Sequence, residues 1–197
     1  MGGRLRLGKQ AIGAVLGVAV AASVGAGSWA GYLRLTGNIH EVEPGLVYRS
    51  GQLSAVQLRE LIRDKSIRAL LNLRGENRGQ PWYDSEVSTA REGGVEHIDL
   101  HLSATRAPGD AVIERLVKIL RFSPKPLLIH CEGGADRTGL AAALYELKVE
   151  GKPLAIADEQ LSFRFGHFPW LLSETGAMDR AFVRSTELPE QEASEAH

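Results

Sequence analysis

The chain has 197 residues, 44% of them hydrophobic and 24% charged, with a formal net charge of -1 at pH 7. That is enough for one globular domain with a real core and too little for a second of ordinary size. Nothing in the charge points to nucleic-acid binding, and a single cysteine excludes an internal disulfide.

Residues 1–33 differ from the rest. Arg4, Arg6 and Lys9 are their only charges, and no charged residue occurs from Gln10 to Leu33. Ala11 to Leu33 is 23 residues, long enough as a helix to span a hydrocarbon core of about 30 Å. The basic flank keeps the N-terminus in the cytoplasm and sends the following domain across the membrane. An uncleaved anchor is the preferred reading because the apolar run continues through Trp29, Tyr32 and Leu33, with Trp29 and Tyr32 at the interface. The alternative is a signal peptide cleaved near Val24-Gly25-Ala26. The expected location is the inner membrane, single-pass, with a periplasmic catalytic domain, or the periplasm after cleavage.

Residues 34–186 then read as one domain. Glu41 to Gly45 is a turn, and Leu46 to Arg49 a short edge strand. Ser54 caps a helix with an apolar stripe of Val56, Leu58, Leu61 and Ile62. A buried strand from Ile67 to Leu73 exits into the polar loop Arg74 to Gly79, at the strand end where open α/β sheets bind ligands. A helix from about Trp82 to Arg91 and an alternating strand from Val95 to Leu102 follow. Asp110 is the expected cap of a helix whose Val112, Ile113, Leu116, Val117, Ile119 and Leu120 face the core. After a strand beginning at Lys125 come a helix to about Glu150, one from about Leu154 to Phe165, and one between Ser173 and Arg184. Residues 187–197, with several Glu and a Pro, read as a solvated acidic tail. The alternation of strands and helices predicts an α/β fold, a small mostly parallel sheet flanked by helices.

The segment His130-Cys131-Glu132-Gly133-Gly134-Ala135-Asp136-Arg137-Thr138-Gly139 holds the chain's one cysteine. The apolar run Pro126 to Ile129 enters it as a strand and Leu140 to Leu144 leaves it as a helix. In such a turn the free backbone N–H groups converge on one anion, and the helix dipole favours negative charge there. That field is expected to hold Cys131 as a thiolate, able to attack phosphorus and form a phosphocysteine. Gly133 and Gly134 allow close approach of the backbone, so residues Glu132, Gly133, Gly134 and Ala135 are the candidate phosphate cradle. Arg137 offers a planar fork for two phosphate oxygens. Thr138 is placed to ease departure of the sulfur, and His130 to brace the loop. The chemistry calls for no metal and no cofactor.

These residues resemble the His-Cys-x-x-Gly-x-x-Arg-Thr signature of the cysteine-dependent protein tyrosine and dual-specificity phosphatases, in its compact bacterial form. Val47 to Gln52 and the Asn72-Leu73-Arg74-Gly75-Glu76 run are similar to the opening of such enzymes, and the likeness spans about residues 44 to 184. The resemblance implies a dual-specificity-phosphatase-like fold, with a carboxylic general acid on a separate loop some thirty residues before the cysteine. Asp99 is at that distance, but Ile98, Leu100 and Leu102 alternate around it, which places it inside a strand. The loop Ser103 to Ala107 carries no carboxylate. Asp136, inside the phosphate loop beside Arg137 and so near the substrate oxygens, is the first candidate for the acid, as the resemblance to bacterial members with Asp at this position implies, and Asp99 is the alternative; a purely structural hydrogen bond between Asp136 and the loop backbone stays open. Arg49, Arg74 and Arg106 are candidate substrate-binding residues. His167, in Gly166-His167-Phe168-Pro169-Trp170, reads as a structural histidine bonded to a backbone group.

The expected activity is phosphomonoester hydrolysis of the protein tyrosine or dual-specificity type. Glu132 and Asp136, with no lysine between Cys131 and Arg137, disfavour a second substrate phosphate nearby. The partner is a phosphorylated protein or small phosphomonoester. An anchored domain makes a lipid or envelope-glycan monophosphate the alternative substrate, and a catalytically dead phosphate-binding module is the rival from another class.

Overall fold

The computed structural model describes residues 2–168 and 176–187, without the side chains of residues 2–16, 18 and 19. Five strands form one sheet in the order β1-β2-β5-β3-β4, where β1 is His40–Glu43, β2 Val47–Ser50, β3 Ala69–Asn72, β4 Glu96–Asp99 and β5 Leu127–His130. All neighbours are parallel except β1, which runs antiparallel to β2.

Strand alternation distributes the side chains to two cores. Val47, Ala69, Leu71, Leu127 and Ile129 face one side with the buried residues of α4 (Asp110–Phe122), α5 (Asp136–Leu144) and α7 (Gly176–Glu187). Tyr48, Leu70 and Leu128 face the other, against Leu58, Leu61 and Ile62 of α2 (Ala55–Lys65) and Ala90 of α3 (Pro81–Glu92). Both faces are covered, so the inner strands β2, β3 and β5 are buried along their whole length, with their polar residues Arg49, Ser50, Asn72 and His130 confined to the C-terminal ends. This confirms the mostly parallel sheet flanked by helices.

Several local expectations are corrected. Leu46 to Arg49 is not an edge: β1 pairs beside it, and all four residues of β2 are buried. β1 escaped sequence reading because His40-Glu41-Val42-Glu43 offers one apolar side chain, the charged composition of a protected sheet edge. Ser54 does cap α2, in a reciprocal capping box with Gln57, but Val56 points to solvent at 61% exposure. Asp110 is the first residue of α4, the cap being Gly109, and its carboxylate instead pairs with Arg184 of α7 at 2.9 Å. The helix after the loop changes at Tyr145–Val149 into a π-helical turn. The helix expected from Leu154 to Phe165 is α6 (Leu154–Asp158) and a separate 3₁₀ turn, Phe163–Phe165. Between them the Gln160 carbonyl accepts from the Arg49 side chain at 2.9 Å.

The N-terminal helix α1, Gly2–Thr36, ends against the domain, where Leu33 is buried. Among the described residues no helix is long and apolar enough to cross a membrane. The basic flank Arg4, Arg6 and Lys9 and the first part of the expected span, Ala11 to Leu33, lie outside the described side chains. Pro169 and Trp170, the expected helix start at Ser173, and residues 188–197 of the expected tail also lie outside the described residues; Glu187, expected to begin the tail, closes α7.

Candidate active site

β5 lies between β2 and β3, so its C-terminal end opens at the middle of the sheet. There the chain passes through Cys131, 3% exposed, turns at Gly134 with φ 72, and enters α5 at Asp136. An added Cβ at Gly134 would stand 2.6 Å from the Gly51 nitrogen and 2.7 Å from the Ser50 carbonyl carbon, so the turn needs glycine for both its angle and its space. The Gln52 N–H donates to the Glu132 carbonyl at 3.0 Å, fastening the loop to the exit of β2.

Arg137 is 9% exposed and Thr138 fully buried. Arg137 Nη1 makes a 3.4 Å bond to the Leu102 carbonyl, while Arg137 Nε and Thr138 Oγ1 have no hydrogen-bond partner among the described residues. A buried polar group left unpaired costs about 1–3 kcal/mol. Two such groups beside one loop are the mark of a site whose partner arrives with the ligand.

Arg49 is corrected from pocket residue to loop brace. It is fully buried and donates to the Gly134 carbonyl at 2.8 Å, to the Ala135 carbonyl at 3.4 Å, and to the carbonyl and side-chain oxygens of Gln160 at 2.9 and 2.6 Å. Its guanidinium also stacks 3.8 Å from the Phe165 ring centroid. Burial lowers its pKa, opposed chiefly by the charges of Cys131 and Glu146.

On the opposite face of the sheet, His130, Asn72, His97 and Asp99 share one parity with Leu70 and Leu128 and meet α3. His130 Nε2 is 3.2 Å from Glu86 Oε1, a charge contact whose angle falls outside hydrogen-bond geometry. The same carboxylate meets His97 Nε2 at 3.0 Å and accepts from Gln52 Nε2 at 2.5 Å. Burial would raise the Glu86 carboxyl, but the charge on His130 and the contacts with His130, His97 and Gln52 outweigh it and hold the pKa down at about 2. Glu86 is thus a buried anion fixed against His130, the residue before the cysteine, and no local sequence signal marks it.

Asp99 belongs to this network. Its Oδ1 accepts from Asn72 at 2.8 Å and its Oδ2 from the Tyr83 hydroxyl at 2.6 Å. Burial, and then Asp99, raise the Tyr83 phenol above its ordinary value, so it stays a donor. Asn72 is in register with both Asp99 and His130, which leaves about 10 Å of sheet between those two backbones. Asp136, by contrast, is in the loop itself, its side chain 31% exposed.

Arg74 donates to Gln52 at 3.0 Å and stacks on Trp82 at 3.6 Å, which holds it at the rim. Arg106 is exposed on the loop after β4. The Glu132 carboxylate lies 3.6 Å from Arg34, near the end of α1, and the two line a shallow pocket with Leu33, Gln52 and Gly133.

The family model described as "DSP-PTPase phosphatase fused to NAD+ Kinase" matches residues 34–164. Among curated relatives, the human dual specificity protein phosphatase CDC14C is 32% identical over 66 residues, 34% of this chain and 14% of that protein. Tyrosine-protein phosphatase cdc-14 of Caenorhabditis elegans is 24% identical over 92 residues, 47% of this chain and 12% of that protein. The chain thus spans a small part of either relative. Solved structures share the fold. TpbA of P. aeruginosa in complex with pTyr has 19% identity and a TM-score of 0.55, covering 78% of this chain and 93% of that one. PTPMT1 in complex with PI(5)P has 17% identity and a TM-score of 0.56, covering 75% and 96%.

Proposed function

The chain belongs to the DSP-PTPase phosphatase family matched over residues 34–164, and from that membership we propose that it hydrolyses phosphomonoesters through a phosphocysteine intermediate. The observation that carries the reading is the pair of buried, unpartnered donors, Arg137 Nε and Thr138 Oγ1, on the loop that presents Cys131. A phosphate seated against the backbone of Glu132, Gly133, Gly134 and Ala135 supplies the acceptor that Arg137 lacks. The Cys131 thiolate attacks phosphorus as the bond to the leaving oxygen breaks, and Asp136 protonates that oxygen. Asp136 then takes a proton from the water that attacks the phosphocysteine. The Thr138 hydroxyl turns to the departing sulfur, and His130, held against Glu86, fixes the strand end behind it.

Substrates of the protein tyrosine or dual-specificity class, carrying one phosphate, suit a loop with two acids and no lysine. Arg74, bonded to Gln52, and the exposed Arg106 are the candidates to take the substrate's remaining charge. Lipid or envelope-glycan monophosphates form the second reading, favoured by the contact of α1 with the loop through Arg34 and Glu132. With Ala11 to Leu33 as a membrane anchor, the pocket would open beside a lipid surface and the domain would lie in the periplasm. Cell fractionation with protease accessibility of the intact chain tests that placement, and a cytosolic, fully extractable protein would end it.

The catalytic reading is tested by phosphate release from an aryl phosphate in the presence of a metal chelator, with Cys131→Ser as control. Turnover is expected in the native chain and lost in the variant. A folded native chain that binds vanadate without turnover would instead identify a phosphate-binding module.

A further inference from the structure

His167 has no exposed surface, and each ring nitrogen faces a carboxylate rather than the backbone group expected from the sequence. Nδ1 is 2.6 Å from Asp136 Oδ1, and Nε2 is 2.9 Å from Asp179 Oδ2 and 3.2 Å from its Oδ1. An imidazole donates from both nitrogens only as the imidazolium. Burial presses its pKa down, but the hydrogen bond to Asp136, the charges of Asp179 and Asp136 and the bond to Asp179 outweigh that and raise it above its ordinary value. His167 and Asp179 both lie beyond the family match, which ends at residue 164.

We propose that His167 is a positioning residue for the general acid: clamped between Asp136 and Asp179, it fixes the Asp136 carboxyl through Oδ1 and leaves Oδ2 to face the leaving-group oxygen. The inference rests on the reading of Asp136 as the acid. Asp136 sits at the first residue of α5, where a one-residue side-chain rotation would turn the acid away from the substrate. The clamp removes that freedom before substrate binds.

The charge of His167 has a second effect. After Asp136 gives its Oδ2 proton to the leaving oxygen, it is a carboxylate close to a phosphorylated cysteine. The imidazolium steadies that anion until it accepts a proton from the attacking water, and Asp179 on the far nitrogen keeps the imidazole protonated meanwhile. His167 keeps both ring protons throughout. Arg49 from β2 bears on the same carboxylate, with Arg164 and His40 further out around Phe165.

The test is the pH profile of kcat for an alkyl phosphate, whose leaving group needs the acid, beside that for an aryl phosphate with a good leaving group, using the full chain. His167→Gln keeps one donor but loses the charge. Its basic limb on the alkyl substrate is expected to move to higher pH, since the cation 2.6 Å from Asp136 Oδ1 is gone. Asp179→Asn weakens the charge on His167 and should move the limb the same way by less. A merely structural role would lower kcat and thermal stability with the limb unmoved, and a folded His167→Gln with an unmoved limb overturns the proposal. If His167→Gln does not fold, an unmoved limb in Asp179→Asn overturns it. Failure of the acid reading is separate: Asp136→Asn would then leave alkyl and aryl turnover alike.

Discussion

The Asn38 carboxamide donates to the Gly133 carbonyl at 3.0 Å and to the Phe165 carbonyl at 2.9 Å. One buried side chain after α1 thus ties the phosphate loop to the turn that leads into His167. Asn38 has φ 50, a conformation asparagine and glycine tolerate, so Asn38→Gly removes these two bonds, and the 3.0 Å contact of Oδ1 with His40 Nε2, without straining the backbone. The variant is expected to lose about 1–3 kcal/mol of stability from carbonyls left unpaired, read as a lower urea midpoint, with weaker phosphate inhibition.

Gly134→Ala meets two obstacles at once, a positive φ and a Cβ within 2.6 Å of the Gly51 nitrogen. The loop must shift away from β2, carrying the phosphate-binding N–H groups with it. A displacement of about 1 Å can cost a factor of about 100 in rate, and a kcat/KM reduced by at least about that factor is expected. Steady-state kinetics on the aryl phosphate check it.

Arg49→Lys keeps the charge and loses the fork. A single ammonium cannot reach both the Gln160 oxygens and the Gly134 and Ala135 carbonyls, nor stack on Phe165 as a planar cation does. Lower thermal stability and slower turnover are expected together, with KM for a monophosphate rising because the loop is less ordered.

The buried Glu86 carboxyl predicts an acid-sensitive native state. Its pKa is about 2 when folded against an ordinary 4.5, so the native protein favours the carboxylate. The stabilisation, on the order of 3 kcal/mol, is present above pH 4.5 and is lost as pH falls from there towards 2. Urea unfolding at pH 7 and pH 3 should show that loss in the native chain and a smaller one in Glu86→Gln.

Asp99→Asn should leave the ratio of alkyl to aryl turnover unchanged, because both Asp99 oxygens already accept hydrogen bonds from Asn72 and Tyr83. A selective loss on the alkyl substrate would return the acid role to Asp99.

The nucleophile loop was legible because its chemistry is written in ten consecutive residues, and the buried strands because their apolar runs are local too. The supports of the loop were not. Arg49 reaches Gly134 across 85 positions and Asn38 reaches Gly133 across 95, and no periodicity connects such pairs. Arg49 looked like a pocket arginine because nothing in its own strand announces that Gln160 and Phe165, more than a hundred positions on, cover it. His167 stood out in the sequence, yet its carboxylate partners are 31 positions before it and 12 after, so only the folded chain assigns them.

The position of Cys131 as the chain's one thiol has a practical corollary. A thiol-selective alkylating reagent reports on this atom alone, since the two methionines carry no thiol. The intact mass of the labelled protein therefore counts competent loops directly, and protection by phosphate or vanadate measures occupancy without a substrate being known. The chain carries a built-in titrant for its own reaction centre.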